Sequence, residues 1–464
     1  MKTIGKYIVR ALLGRGGMGK VFRVEHPTIG KVAALKLLDP DPLLVSLLGI
    51  DKIKEMFVAE AVTLARLRHP NIVDILDFDE SNGRLFYLMA YHVNNLGILI
   101  GESPRPDEPS RCIRVEKAMH YTHQTLQGLS GLHHAGIIHR DIKPYNLLIT
   151  DQDTVKICDF GLSKLHGEKF AGPPSLKVGS AWYSPPEQEA DPDRVDVTAD
   201  LYAVGITFYR MLTGELPADD YHPVSAYNAE LDLSWDGFIR RATARIAHDR
   251  FASANEMLNA LGQLEAAWQD KKKDFCSGPV FTDDKPEKKT DARVDQLRSH
   301  CIKIAPRSAR ELFAVDRLWR PLLYWAHEFQ VDFEGTVTDT ASGLMWQQSG
   351  SAFPMDWRHA KEYADQINAE GFAGHSDWRL PTISELMTLL TELPTGDDHC
   401  IEPIFDQEQK CIWSCDRRSF TAAWYVSSDL GFVAWQDFSA YFYVRAVRSL
   451  QYYGRNPTSS ICCG

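Results

Sequence analysis

Hydrophobic and polar positions alternate over Tyr7 to Leu13 and again over Lys20 to Val24, which predicts two strands, and Val32 to Leu37 (VAALKL) predicts a third, more apolar one. The period then changes. Lys54 to Leu67 places Phe57, Leu64 and Leu67 on one helical face, Val197 to Leu212 is apolar enough for a buried core helix, and Ala252 to Trp268 reads as a further helix. Beyond it the pattern lapses: residues 269–298 hold 8 Lys or Arg and 7 Asp or Glu in 30 positions, with too few large apolar side chains to bury a core. That segment reads as a linker. Helical spacing returns at Leu312, Val315, Leu318 and Leu322, with Pro321 interrupting it. Strand-like runs such as Ala422 to Ser427 and Tyr441 to Val447 follow, among Trp346, Trp357, Trp378, Trp413, Trp424 and Trp435. The expected organisation is one domain over 1–268, a charged linker over 269–306, a connector helix over 307–330, a second α+β domain over 331–450 and a tail over 451–464.

Composition narrows the class without naming a chemistry. A chain of 464 residues, 44% hydrophobic and 24% charged, has an ordinary soluble composition and room for two or three domains. Its net charge of −11 provides no overall basic field for nucleic acid or anionic lipid. No apolar run nears the ~18 residues of a membrane span, and the N-terminus lacks the apolar core of a signal peptide, so the chain is expected to be cytosolic. Nine cysteines without a CxxC pair then read as thiols. Cys400, Cys411 and Cys415, with His399 nearby, match no zinc spacing, and Cys462 and Cys463 lack the residues of a prenylation box.

Candidate chemistry lies in the first 268 residues. Glycines at 14, 16 and 19, in LGRGGMGKVF, let the backbone close over phosphates with N–H groups forward. Such a loop also fits a dinucleotide fold or a plain hairpin. Strand-like residues follow at once and no helix opens at Met18, which argues against the dinucleotide fold. Lys36 sits in the third strand, and Glu60 projects from the helix after it, where a carboxylate can hold the ammonium against nucleotide phosphates. A solvated helix face is the plainer reading of a single Glu. The segment His139 to Asn146 reads HRDIKPYN, and 159 to 161 reads DFG. In order and spacing these motifs together resemble the bacterial eukaryotic-like (Hanks-type) serine/threonine protein kinases.

The resemblance implies a bilobal kinase fold, ATP and Mg²⁺ as cofactors, and protein substrates. It implies that Asp141 accepts the proton of the substrate hydroxyl, that Lys143 sits beside the transferring phosphate, that Lys36 and Glu60 form the phosphate-gripping pair, and that Asn146 and Asp159 hold the metal. Leu13, Gly14, Gly16, Gly17, Gly19, Val21, Ala34, Met89, Tyr91 and Leu148 become the expected nucleotide-binding residues. The hinge, Met89 to Tyr91, lacks the acidic residue common there. Glu187 is expected to pair with Arg250, and Asp200 to brace the catalytic loop. Arg140 offers a cation to a phosphate on the activation segment, where Ser163, Ser175 and Ser180 are the available serines; Ser175 is the favoured site and Ser180 is expected to be held by the catalytic loop. The insertion Asn94 to Pro109 reads as a proline-rich surface loop.

In the last third, TVTDTASGLMWQQ (336–348), DWRLPT (377–382) and YVRAVR (443–448) resemble the C-terminal lectin-like domain of bacterial collagen-like adhesins, a C-type-lectin-like α+β fold. Most tryptophans are expected in its core. Alternation in a strand buries one face, so Trp424, Trp435, Phe438 and Tyr441 are expected to present an exposed surface for a protein or glycan partner. Neither EPN nor QPD occurs, and calcium-dependent sugar binding is not expected. The alternative is a binding or scaffold protein whose lectin-like, hypervariable domain does the work above a weakly active or inactive kinase fold. A third reading, an oxidase of the formylglycine-generating fold, needs a reactive cysteine pair, for which Cys411 and Cys415 are the near candidates.

Overall fold

The structure is a computed structural model and describes residues 2–450 apart from 104, 106–107, 161–163, 166–181, 192, 218–221, 277–296, 333 and 396–398. Gly161, Ser163, Ser175, Ser180 and the tail therefore lie outside the described residues, as does most of the expected linker. The chain divides into two compact units, Met1–Phe281 and Thr282–Gly464.

The first unit opens with antiparallel strands β1 (Thr3–Ile4), β2 (Tyr7–Arg15), β3 (Gly19–Glu25), β4 (Val32–Leu38), β5 (Ile75–Ser81) and β6 (Arg84–Met89), ordered β1-β2-β3-β4-β6-β5. Phe22, Val24, Ala33, Leu35, Leu37, Phe86 and Leu88 build the core on one face of that sheet. Cross-strand partners share a face, so the register Val21↔Lys36, Ala34↔Met89 and Lys36↔Tyr87 places those five side chains on the opposite face. There α2 (Ile50–Arg66), preceded by α1 (Pro42–Leu48), buries Ile53, Phe57 and Ala61 against Leu38 and Tyr87.

The rest of this unit is mainly helical. Short strands β7 (Asn94–Asn95), β8 (Ile137–Ile138), β9 (Leu147–Ile149), β10 (Val155–Ile157) and β11 (Lys164–Leu165) accompany α3 (Leu96–Ile100), α4 (Val115–His134), α5 (Pro186–Ala190), α6 (Thr198–Thr213), α7 (Leu233–Ala242) and α8 (Ala254–Cys276). Every residue of α6 except Tyr202 is buried, as its apolar run predicts. Helix α8 continues past the expected boundary at 268. The insertion at 94–109 is not wholly a surface loop: Asn95 caps α3 by accepting from Ile98 N at 2.9 Å, and Leu96, Leu99 and Ile100 are buried. Its proline-rich half masked the apolar LGILI run that needs a core.

The second unit has two principal antiparallel sheets, β12 (Phe329–Asp332), β13 (Thr336–Asp339), β14 (Leu344–Gln347) and β20 (Val447–Ser449) in one, and β17 (Cys411–Arg417), β18 (Ala422–Ser427) and β19 (Phe432–Asp437) in the other. A hairpin of β15 (Leu390–Thr395) and β16 (His399–Ile401) lies between them in the chain, and α10 (Trp357–Ala369) and α11 (Ile383–Thr388) complete the unit. The connector helix expected over 307–330 is one short helix, α9 (Pro306–Leu312). The chain turns at Ala314, whose φ is +51°, and Val315 bridges to Pro321. Ala309, Phe313 and Val315 join the core of this unit with Trp346 and Trp424. The apolar spacing at 312–322 therefore serves packing rather than a continuous helix.

The linker also ends earlier than expected. Arg298 forks onto Asp416 at 2.8 and 2.6 Å, and Ile302 N donates to the same carboxylate at 2.9 Å. Lys303 then bridges Arg417 in parallel register, so residues 298–304 form a strap along β17.

Candidate active site

The glycine loop is the β2–β3 hairpin, closed by Gly16 N to Gly19 O at 2.9 Å. A Cβ on Gly19 would lie 2.1 Å from Leu37 O, so only glycine fits there. A Cβ on Gly14 or Gly16 would meet nothing within 4 Å, leaving open space beside the loop. Val21, Ala34 and Met89 lie on the sheet face opposite its core, with Lys36 among them. Leu13 is exposed at the end of β2, Tyr91 is half-buried just past β6, and half-buried Leu148 lies between buried Leu147 and Ile149 in β9.

Lys36 Nζ donates to Glu60 Oε1 at 2.8 Å and to Asp159 Oδ1 at 3.2 Å. Glu60 is thus no solvated face: both it and Lys36 are buried. Burial disfavours the Lys36 charge, yet the carboxylates of Glu60 and Asp159 outweigh it and hold the ammonium pKa well above its ordinary value. Lys36 in turn holds the Asp159 carboxyl below its usual range, against the effect of burial. Tyr87, the cross-strand neighbour of Lys36, donates its hydroxyl to Glu60 Oε1 at 2.9 Å. Nothing in the sequence pointed to Tyr87, because its role exists only once β4 and β6 pair in this register.

The catalytic loop follows β8. Asp141 accepts from Lys143 Nζ at 2.7 Å and from Asn146 Nδ2 at 2.9 Å, and Asn146 Nδ2 also reaches Asp141 O at 2.8 Å. With the Asn146 amide nitrogen committed to Asp141, its amide oxygen remains as a neutral donor for a cation. Below the loop lies Asp200, fully buried in α6. It accepts from the backbone N–H of His139 at 2.9 Å, from that of Arg140 at 2.7 Å, and bonds to His133 Nε2 at 2.8 Å. Burial pushes this carboxyl upward, but its hydrogen bonds to His133 and the Arg140 amide, with the neighbouring His133 and His139 rings, bring it below its ordinary value. Arg140 and Asp159 both adopt left-handed backbone, at φ +68° and +64°, and the Asp200 carboxylate holds the Arg140 amide in place. Phe160 is buried with its ring 4.8 Å from that of His139.

Glu187 meets Arg250 through two bonds of 2.6 and 2.9 Å, as the sequence predicted. A second buried anchor was missed: Glu102, just after α3, accepts from Tyr183 OH at 2.9 Å and from Arg210 Nε at 3.0 Å. It ties the insertion to the end of the activation segment and to α6.

The chemistry of the site fits a nucleotide with its cation. A carboxylate and an amide oxygen can hold a hard cation that keeps its waters, a buried ammonium can meet phosphate oxygens, and a glycine hairpin opens onto free space.

Residues 7–276, more than half of the chain, match the protein kinase domain family, and the chain belongs to that family. Residues 335–448 match the Lcl C-terminal domain family. Among curated relatives, serine/threonine-protein kinase pkn3 of Myxococcus xanthus is 38% identical over 226 residues, covering 47% of this chain and 39% of that protein. A probable serine/threonine-protein kinase of Clostridium acetobutylicum is 29% identical over 286 residues, covering 58% of this chain and 41% of its own. The chain thus spans about two fifths of the length of these relatives. The crystal structure of the M. tuberculosis PknI kinase domain aligns with 57% of this chain and 98% of its own at 25% identity and a TM-score of 0.43. Membership of the family implies use of ATP with a divalent cation.

The second unit does not present the four rings expected at a partner surface. Trp424 is fully buried, touching Phe313, Trp319 and Trp435 at 5.2, 5.3 and 5.1 Å between ring centroids. Trp435 is half-buried between Trp319 and the Arg418 guanidinium. Phe438 stacks on Trp357 at 4.4 Å. Only Tyr441 stays exposed, at 55%. Strand alternation leaves no exposed face here because β18 is covered on both sides. The 306–319 segment covers Trp424, while Tyr425, on the other face, packs on Phe442 and Trp413.

Cys411 and Cys415, the near candidates for a reactive pair, stand four residues apart in one strand, β17. The thiol that interacts with Cys415 is instead that of Cys301 in the strap. Among the described residues no group of three or more His, Cys, Asp or Glu gathers as a metal site, and no helix is long and apolar enough to cross a membrane.

Proposed function

We propose that this chain is a cytosolic serine/threonine protein kinase that transfers the ATP γ-phosphoryl group to protein hydroxyls with Mg²⁺, and that its second unit is a C-type-lectin-like domain recognising a protein or glycan partner. The observation that carries the catalytic reading is the chain Glu60–Lys36–Asp159, buried at Glu60 and Lys36 and open at Asp159, together with Asp141 and Asn146 on the loop braced by Asp200.

When bound, ATP and Mg²⁺ supply an electrophilic phosphoryl group whose charge the metal offsets. Asn146 and Asp159 would hold the metal, and Lys36 the phosphates. Asp141 orients the acceptor hydroxyl and takes its proton, and Lys143, already on that carboxylate, stands ready to neutralise the charge beside it. Lys143 and Pro144 in the loop favour Ser or Thr as acceptor. Arg140 is the proposed cation for a phosphate on the activation segment, with Ser175 as its favoured site. The match of residues 335–448 to the Lcl C-terminal domain supports the recognition role, for which exposed Tyr441 is the remaining candidate ring.

The test is transfer of label from γ-labelled ATP to the chain itself or to a generic basic protein, with phosphoamino-acid analysis. Label on Ser or Thr that is lost in Asp141→Asn supports the reading. Absence of transfer by the unaltered chain under Mg²⁺ and Mn²⁺ defeats it.

A further inference from the structure

The strap and β17 run in parallel. Arg417 N donates to Ile302 O at 2.8 Å, Ile304 N donates to Arg417 O at 2.9 Å, and Lys303 is the bridge partner of Arg417. Cys301 and Cys415 lie just ahead of this contact, next to Ile302 and Asp416, where Ile302 N donates to the Asp416 carboxylate at 2.9 Å while the Cys415 amide turns to Pro381 O at 2.8 Å. The two thiols are close enough to interact directly. Their surroundings differ: Cys301 is exposed, whereas Cys415 is buried. Asp416, whose carboxylate binds Arg298 and the amides of Ile302 and Ile383, locks both strands in this register.

We propose that Cys301 and Cys415 form a hydroperoxide-sensitive thiol pair, in which Cys301 is oxidised from solvent and Cys415 resolves it into a disulfide that staples the strap to β17. The Cys301 thiolate attacks one oxygen of the hydroperoxide, forming a sulfenic acid and expelling hydroxide or alkoxide. Cys415 sulfur then attacks the sulfenic sulfur; its proton leaves with the displaced hydroxide as water. Two thiols are oxidised by two electrons in all, the peroxide is reduced, and exchange with a dithiol restores the pair.

The electrostatics agree with that division of roles. The interaction with Cys415 brings the Cys301 thiol down to about 7, with a smaller contribution from Lys361 and against burial and Asp416. The same interaction pushes Cys415 up, together with burial, Asp416 and Glu385, while Arg379 lies near both. Cys301 is thus the more readily ionised of the two thiols.

The test uses the full, reduced chain treated with hydrogen peroxide, blocked with N-ethylmaleimide and mapped without reduction by mass spectrometry. A Cys301–Cys415 peptide that forms before exposed Cys112 is modified, and that dithiothreitol reverses, is the expected result. In Cys415→Ser, dimedone should trap a sulfenic acid at Cys301 with no cross-link. On the unaltered chain, which needs no variant to fold, iodoacetamide should label Cys301 at pH 7 at least tenfold faster than Cys112. Equal labelling of the two, an unresolved sulfenic acid at Cys301, or a cross-link from Cys301 to any other cysteine overturns the proposal.

Discussion

Tyr87 and Lys36 share one oxygen of Glu60: the phenol donates to Oε1 at 2.9 Å and the ammonium at 2.8 Å. The carboxylate carries the charge, and the phenol fixes its direction. Tyr87→Phe is expected to lower the stability of the first unit by about 1 kcal/mol, the net worth of one hydrogen bond, with kcat/KM for ATP changed less than about threefold. Glu60→Gln removes the charge that holds Lys36 and is expected to cost more than about tenfold, or ~1.4 kcal/mol, in kcat/KM. Steady-state kinetics and urea unfolding of both variants check this; equal kinetic losses would show that the hydroxyl positions Lys36.

Asp141→Asn keeps the size of the side chain and the bond from Lys143 while removing the proton acceptor. Phosphoryl transfer should fall by at least ~10², with nucleotide affinity changed little, because Lys36, Asn146 and Asp159 remain. Single-turnover rates paired with calorimetric ATP binding separate the two quantities.

For the second unit, the packing ranks three tryptophans. Trp424→Ala and Trp378→Ala empty buried sites and are expected to cost on the order of 3–5 kcal/mol. Trp435→Ala, half-buried under Arg418, is expected to cost about half as much. Urea unfolding of the whole chain followed by the tryptophan fluorescence of this unit gives the order. A Trp424→Ala loss below that of Trp435→Ala would contradict the buried placement of β18.

Asp200 sets a pH dependence. Its folded pKa is depressed, so ionised Asp200 stabilises the fold fully above the unfolded value of about 3.9, and that contribution is lost as pH falls through the lower folded value. The gap in urea midpoint between the unaltered chain and Asp200→Asn should therefore match at pH 7 and pH 5 and narrow only below about pH 4. Narrowing between pH 7 and pH 5 would place the titrating group elsewhere.

The catalytic residues were legible because phosphoryl transfer demands charged side chains at fixed separations along local segments: HRDIKPYN is one loop, and Lys36 and Asp159 each head a recognisable motif. Tyr87, His133 and Glu102 were not, since each acts across a tertiary contact that no local spacing encodes. The apolar spacing at 312–322 misled for a related reason. A helical period and a folded strap both place apolar residues inward, and only the turn at Ala314 distinguishes them. Burial of Trp424 was hidden likewise, because what covers it comes from residues 306–319, more than a hundred positions away.

The strap also sets where the second domain can be severed. A fragment beginning at residue 331 would leave Asp416, fully buried, without Arg298 and the Ile302 amide, and would strip Phe313 and Trp319 from Trp424. Breaking one buried ion pair costs ~3–5 kcal/mol, a large share of the ~5–15 kcal/mol that holds a typical domain together. The smallest piece that can be moved intact onto another carrier therefore starts ahead of Arg298, and what the composition marks as spacer is, from there on, part of the cargo.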